Sequence, residues 1–250
     1  MSDGAALRVM WLYPDHMNIY ADRGNIAVLE RRCEWRGIGF ELAAAGPGET
    51  VDPDAHDLFY MGGGQDRDQA LVARDLVETK RDALAAAVAS DAAVLAVCGG
   101  YQLLGHSYEV PGSDPLPGLG LVDLRTVREP GERLIGNVLI EADLGAGPRR
   151  MAGFENHGGR TYLSADEQPL GRVVNGFGNN GKDRAEGVRR GRLIGTYLHG
   201  PLLPKNTWLA DVLIGWALER RTGSAPELEP LDDSLERAAH ESAVRAALRR

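Results

Sequence analysis

Cys98 ends AAVLAV, an almost wholly apolar run from Ala92 to Val97, and is followed at once by Gly99 and Gly100. A thiol in that place can act as a nucleophile. The C-terminal end of a buried strand, before a tight turn into a helix, lies at the sheet edge where α/β proteins bind ligands. The turn that delivers such a nucleophile is sterically crowded, and two glycines relieve the crowding while bringing backbone N–H groups close. The start of the following helix favours a thiolate and a developing oxyanion. The competing reading makes Cys98 a small buried hydrophobe. Cys33 falls at an apolar position inside the first predicted helix, with no glycine turn beside it, and is assigned to packing.

A cysteine nucleophile for acyl transfer needs a base. The chain has six histidines. His199 closes a predicted strand and precedes Gly200 and Pro201, which puts its ring in reach of the same rim as Cys98. His157, in ENHGGR, is the second candidate, as base or as a contact where substrate enters. His16 lies in the first loop, also at the rim. His106 is placed past the short Cys98 helix, His56 before a strand, and His240 on the surface of a tail helix. No pair has HExxH spacing, so a zincin site has no support. Gly62, Gly63 and Gly64 follow a predicted strand directly upstream of the Cys98 strand. If those strands are neighbours, this turn faces the thiol and shares an oxyanion hole with an N–H after Cys98. GGGQD is not a phosphate-binding loop, because no GK[ST] follows, and it lacks the GxGxxG order of a dinucleotide fingerprint.

These groups need a scaffold. LRVMWLYP (Leu7 to Pro14), GFEL (Gly39 to Leu42), DLFYM and AAVLAV read as strands. Helices are predicted from near Asn25 to Gly37, and from Gln69 to Ala89. Strands and helices in alternation indicate an α/β fold with a mostly parallel central sheet flanked by helices. The middle section reads as hairpins: RLIGNVLIEAD (Arg133 to Asp143), a strand around Phe154, and short strands between glycine turns. LIGTYL (Leu193 to Leu198) returns to the sheet, and Asn206 to Arg221 forms an apolar helix capped by Asn206 or Thr207. Residues 1–221 make one domain. Residues 222–250 make a linker and a C-terminal helix, and the sequence leaves open whether that helix is mobile, docked on a partner or packed on the body.

Composition sets outer bounds. The 250 residues hold 28 Lys plus Arg against 36 Asp plus Glu, a net charge of -8. That balance disfavours a nucleic-acid footprint. No apolar run is long enough to cross a bilayer, and MSDGAALRVMWLYP lacks the features of a secretory signal. Two cysteines give neither a disulfide framework nor a zinc cluster, and a cytoplasmic protein with free thiols is expected.

DLFYMGGGQD, LAVCGGYQLLG and GTYLHGPLLPKN together resemble the class I, triad-type glutamine amidotransferases. Within that class they resemble the cobyric-acid-synthase branch, where the histidine motif reads LHG. NIYADRGN, RLIGN and FENHGGRTYL are similar to the glutaminase subunits (GatD) of lipid II isoglutaminyl synthases. The resemblance runs from about Leu7 to about Trp216. It implies a flavodoxin-like amidotransferase fold with an added hairpin-rich region. It implies that Cys98 attacks the side-chain amide of L-glutamine while His199 moves the protons. Backbone N–H groups of Gly63 or Gly64 and of Gly99 would hold the oxyanion. Gln102, Arg133, Asn156 and His157 would contact or shape the glutamine pocket. No metal or cofactor is implied in this chain; ATP and Mg belong to a Mur-ligase-like partner (MurT) in a heterodimer. That complex amidates the D-glutamate of lipid II to D-isoglutamine, so membrane proximity comes only through the partner's substrate.

The sequence departs from the class pattern at Pro201, where many members carry a glutamate that orients the histidine. Either a distant residue substitutes or a partner supplies the carboxylate. The resemblance implies the partner, and hence a subunit weakly active alone. Competing functions are an amidotransferase acting on a corrinoid carboxylate, a stand-alone γ-glutamyl hydrolase, and a binding protein in which Cys98 is structural.

Overall fold

The computed structural model describes residues 6–19 and 22–249, without the side chains of Asp66 and Arg67. Tyr20 and Ala21 of NIYADRGN, and the first five residues, lie outside the described residues. The chain runs β1 (Ala6–Leu12), α1 (Arg23–Glu34), β2 (Gly39–Ala45), β3 (Leu58–Met61) and α2 (Asp66–Asp75). A π-helical turn, Leu76–Lys80, leads into α3 (Arg81–Ala89), then β4 (Ala93–Val97) and the short α4 (Gly99–Leu103). Next come β5 (Ser107–Glu109), β6 (Leu116–Pro117), β7 (Leu124–Arg128), β8 (Leu134–Asp143), β9 (Pro148–His157), β10 (Gly159–Leu163), β11 (Gly171–Asn175) and β12 (Ala185–Glu186). The chain closes with β13 (Val188–Arg190), β14 (Leu193–Thr196), α5 (Leu202–Lys205), α6 (Thr207–Thr222) and α7 (Ser234–Leu248).

The central sheet has the order β13-β14-β4-β3-β1-β2. Every neighbouring pair in it is parallel except β13 with β14. β4 explains the arrangement. All five of its residues are buried, because helices cover both faces, and its Ala and Val side chains are small enough for close helix approach. β3 and β4 are direct neighbours, as their glycine and cysteine turns require, and β14 lies on the other side of β4. Two four-stranded sheets, β10-β7-β5-β6 and β12-β11-β8-β9, form the hairpin-rich region.

The second of these sheets grips the end of β14. Phe154 in β9 and His199 exchange both backbone hydrogen bonds, at 3.1 and 2.8 Å. α7 packs in turn on β8 and β9, where Val244 and Ala247 meet Leu139 and Ala152. Its N-terminal end is fixed by Asp233, which pairs with the buried guanidinium of Arg32 at 2.7 Å; Arg32 also pairs with Asp211 of α6 at 2.6 Å. His240, expected on a free surface, instead sets its Nδ1 at 2.8 Å from the carbonyl of Lys205. Asn206 does stand at the N-cap of α6, yet its side chain bonds Ala152 and Leu202 rather than the helix N–H groups.

Candidate active site

The ends of four neighbouring parallel strands, β14, β4, β3 and β1, carry the site. Cys98 follows β4 with φ 50° and ψ -104°. That left-handed backbone is costly for a non-glycine residue and persists only where the surroundings enforce it. Here three bonds do so: Cys98 N–H donates to the carbonyl of Thr196 at 2.8 Å, Gln102 N–H to the Cys98 carbonyl at 3.0 Å, and Gly100 N–H to the Gly62 carbonyl at 3.2 Å. The last bond ties the cysteine turn to the glycine turn after β3. A Cβ on Gly100 would stand 2.7 Å from the carbonyl oxygen of Met61 and 2.9 Å from that of Gly62, so this approach needs glycine.

His199 lies three residues beyond β14 and is fully buried; Cys98 is 6% exposed. The imidazole interacts with Cys98 on one side and with Asp22 on the other, Nδ1 standing 3.5 Å from Asp22 Oδ1. Burial alone pushes the His199 pKa down. The negative charge of Cys98 and the carboxylate of Asp22 outweigh it and raise the pKa to about 10. An imidazolium held between Cys98 and Asp22 is the ring state this geometry favours. A buried cysteine with a base in contact and backbone donors at hand can open an acyl carbon to attack.

The backbone donors divide unequally. Gly63 N–H is already bonded to Asp22 Oδ2 at 2.8 Å. Gly64 N lies 3.0 Å from where a Cβ on Gly99 would sit, directly beside the nucleophile turn. Among the described residues no acceptor is paired with the Gly64 N–H. Gly64 and Gly99 are therefore the donors the geometry leaves open, and Gly63 serves the carboxylate.

The remaining predicted contacts fall into two groups. Gln102 is buried and committed at both ends: it accepts from Gln69 Nε2 at 2.8 Å and donates to the Tyr197 hydroxyl at 3.1 Å. His157 is buried, stacked on the Tyr197 ring at 3.6 Å between centroids, with Nδ1 2.8 Å from the Gly159 carbonyl. Burial pushes its pKa down, against the raising effects of Glu155 and Gly159. His157 thus supports Tyr197, the second residue before His199, while His199 holds the thiol. Arg133 is exposed and clasps Asn156, Nε to Oδ1 at 2.8 Å and Nη2 to the backbone carbonyl at 2.8 Å. The following turn reaches inward: a Cβ on Gly159 would stand 2.5 Å from Gln102 Nε2. Arg133 and Asn156 thus pair with each other, and the turn that follows them meets Gln102 of the Cys98 helix.

Residues 8–207 match the CobB/CobQ-like glutamine amidotransferase domain. The chain belongs to this family. It is 40% identical over 230 residues to the lipid II isoglutaminyl synthase (glutamine-hydrolyzing) subunit GatD of Staphylococcus aureus strain N315, covering 92% of this chain and 91% of that protein. It is 31% identical over 208 residues to the cobyric acid synthase of Rhodobacter capsulatus, covering 79% of this chain but 41% of the synthase. Its fold is shared with a chain of the PurLQS structure from Thermotoga maritima, at a TM-score of 0.53 and 17% identity, covering 85% of this chain and 95% of that one. The expected α/β amidotransferase fold and enzyme class hold.

Sequence reasoning missed Asp22. It lies in NIYADRGN, a segment that carried part of the resemblance, but its type and spacing gave no sign of a role. The one available signal was its position in the loop after the first strand, at the same sheet edge as Cys98.

Proposed function

We propose that this chain is the glutaminase subunit of a lipid II isoglutaminyl synthase, generating ammonia for a Mur-ligase-like partner. The observation that carries the reading is the near end-to-end alignment with the GatD subunit, against less than half of a cobyric acid synthase. The placement of Cys98 and His199 at one sheet edge supplies the chemistry.

In this reading the Cys98 thiolate attacks the side-chain amide carbon of L-glutamine. The carbonyl oxygen takes the negative charge and lies against the Gly64 and Gly99 N–H groups, where fixed donors stabilise it without reorganising. The tetrahedral species collapses, the C–N bond breaks, and the His199 imidazolium gives its proton to the departing nitrogen. Ammonia and a glutamyl thioester result. Water then attacks the thioester as His199 accepts its proton, and the thiolate leaves. Glutamate is released and the starting charges are restored.

Arg133 and Asn156 stand at the rim as contacts for the amino-acid end of glutamine. Gln102 and His157 act from below by holding the Cys98 helix and Tyr197. The partner binds ATP and Mg, activates the lipid-linked carboxylate and receives the ammonia. Work takes place at the cytoplasmic face of the membrane through the partner's substrate; no helix among the described residues is long and apolar enough to cross a membrane.

The test is co-purification with a Mur-ligase-like partner and comparison of Cys98→Ala with the native complex. Amidation of lipid II is expected to fall at least a thousandfold with glutamine and to survive with free ammonia. A glutamine-analogue electrophile is expected to label Cys98 but not Cys33, whose thiol burial pushes up to about 12. Glutamine-dependent amidation that persists in Cys98→Ala, or an equal loss with free ammonia, would refute the proposal.

A further inference from the structure

Pro201 stands where a carboxylate would orient His199, and its ring packs against the turn that begins α1. A Cβ on Gly24 would lie 2.7 Å from Pro201 Cγ, so glycine lets the two segments touch. That contact brings up the residue two places earlier in the chain, Asp22, which is fully buried. Its carboxylate is shared. Oδ2 accepts Gly63 N–H at 2.8 Å, and Oδ1, which has no hydrogen-bond donor among the described residues, faces His199 Nδ1 at 3.5 Å. Its backbone is fixed as well. The Tyr60 hydroxyl donates to the Asp22 carbonyl at 3.1 Å and accepts from Asn25 Nδ2 at 2.9 Å, while Asn25 Oδ1 accepts Leu203 N–H of α5 at 2.8 Å. The loops bearing Asp22 and His199 are thus bolted together through Asn25.

A buried carboxylate with no cation of its own is unfavourable unless an adjacent group carries the compensating charge. The imidazole is that group. A carboxylate at Nδ1 fixes the ring tautomer and leaves Nε2 for the nucleophile. From these contacts we infer that Asp22 is the positioning carboxylate of His199, so that the thiol, imidazole and carboxylate set is complete within this single chain. The same side chain turns Gly63 N–H away from the reacting carbon and reserves the oxyanion for Gly64 and Gly99. The inference rests on the proposed glutaminase chemistry but places the third member in this chain rather than in a partner.

The charged and titratable groups around the ring are few among the described residues. Cys98 reaches it from the turn after β4 and Asp22 from the connection between β1 and α1. Lys205 of α5 lies beside the next residue, its Nζ 2.9 Å from where a Cβ on Gly200 would be. Tyr60 of β3 touches Asp22 from behind.

Asp22→Asn keeps a carbonyl acceptor for Gly63 N–H and removes the charge, so it separates ring positioning from loop support. Three measurements decide. Glutaminase kcat is expected to fall at least tenfold with KM within twofold, in the chain alone and in the complex. The alkaline limb of the rate, and of Cys98 alkylation, is expected to move to lower pH, because the imidazolium loses its counter-charge. An NMR titration of the His199 ring is expected to shift the same way, and it needs no activity. Unchanged kcat and an unchanged titration would overturn the inference. Full recovery of Asp22→Asn on adding the partner would also overturn it, since the carboxylate would then come from outside. If Cys98→Ala retained wild-type glutaminase activity the functional reading would fall, while the His199 titration would still report on Asp22.

Discussion

Glu186 is buried beneath the end of β14, and replacing it tests the energetics of the segment that delivers His199. Its carboxylate accepts Tyr197 N–H at 2.7 Å and the Thr196 hydroxyl at 3.1 Å. No cation is among its partners in the described residues. Burial therefore dominates: it raises the pKa to about 8, against the lowering pull of the Tyr197 N–H and the Thr196 hydroxyl, and the nearby Glu155 charge adds to the rise. The sign follows from proton counting. Below an ordinary glutamate pKa of about 4.5 both folded and unfolded chains hold the proton, so there is no penalty. Between there and pH 8 the unfolded chain releases the proton while the folded chain keeps it. Stability then falls as pH rises, by about 1.4 kcal/mol per pH unit and by at most about 5 kcal/mol across the window. Above pH 8 the loss levels off. Glu186→Gln stays neutral, keeps a carbonyl acceptor for Tyr197 N–H, and carries none of this dependence. Urea unfolding of both proteins at pH 5.5 and 7.5 is the assay. Wild type is expected to lose about 2–3 kcal/mol more than Glu186→Gln between those two pH values. Parallel stability curves, within about 0.5 kcal/mol, would show that the carboxyl is ionised in the folded protein and would refute the reasoning.

Other outcomes follow from the same contacts. Arg32→Met removes the ion pair that fixes the start of α7 at Asp233, and takes from Asp211 one of its two buried guanidinium partners, leaving Arg36 at 3.0 Å. Because those carboxylates are partly exposed and can rehydrate, the expected loss is about 2–3 kcal/mol, below that of a fully buried pair. Hydrogen exchange across residues 234–248 should quicken, and unchanged protection there would show that the helix's other contacts, with Leu139, Ala152 and the Lys205 carbonyl, hold it without the Arg32 pair. Gly100→Ala drives a methyl group into two backbone carbonyls that cannot move independently, for a cost of about 1–3 kcal/mol. Reactivity of Cys98 toward a glutamine-analogue electrophile should drop at least tenfold, and native reactivity would show that the turn adapts.

Much of the fold was legible because the central strands are marked by composition. AAVLAV has no polar residue for either face and stops at a glycine pair, which identifies a strand covered on both sides with a functional end. Cys98, His199 and the Gly62–Gly64 turn could be nominated because residues just past parallel strands share an edge whatever the detail between them. Gly63 shows where that reasoning stopped: a backbone N–H near the thiol is visible from sequence, but which way the peptide faces is not.

By itself, then, the sequence determined the type and the location of the chemistry: a thiol and an imidazole at strand ends, and a chain outside the pattern that places a glutamate after the histidine. Tertiary structure alone decided how the histidine is held. Asp22 and His199 are 177 positions apart, and only the order β14-β4-β3-β1 with the Gly24–Pro201 contact brings them together. The hairpin sheet clamps His199 through Phe154, and α7 backs that sheet through contacts whose partners are equally remote in the chain. Local propensity and hydrophobic period act over a few turns of chain. A buried carboxylate finds its imidazole through packing between elements, and no local pattern records that choice.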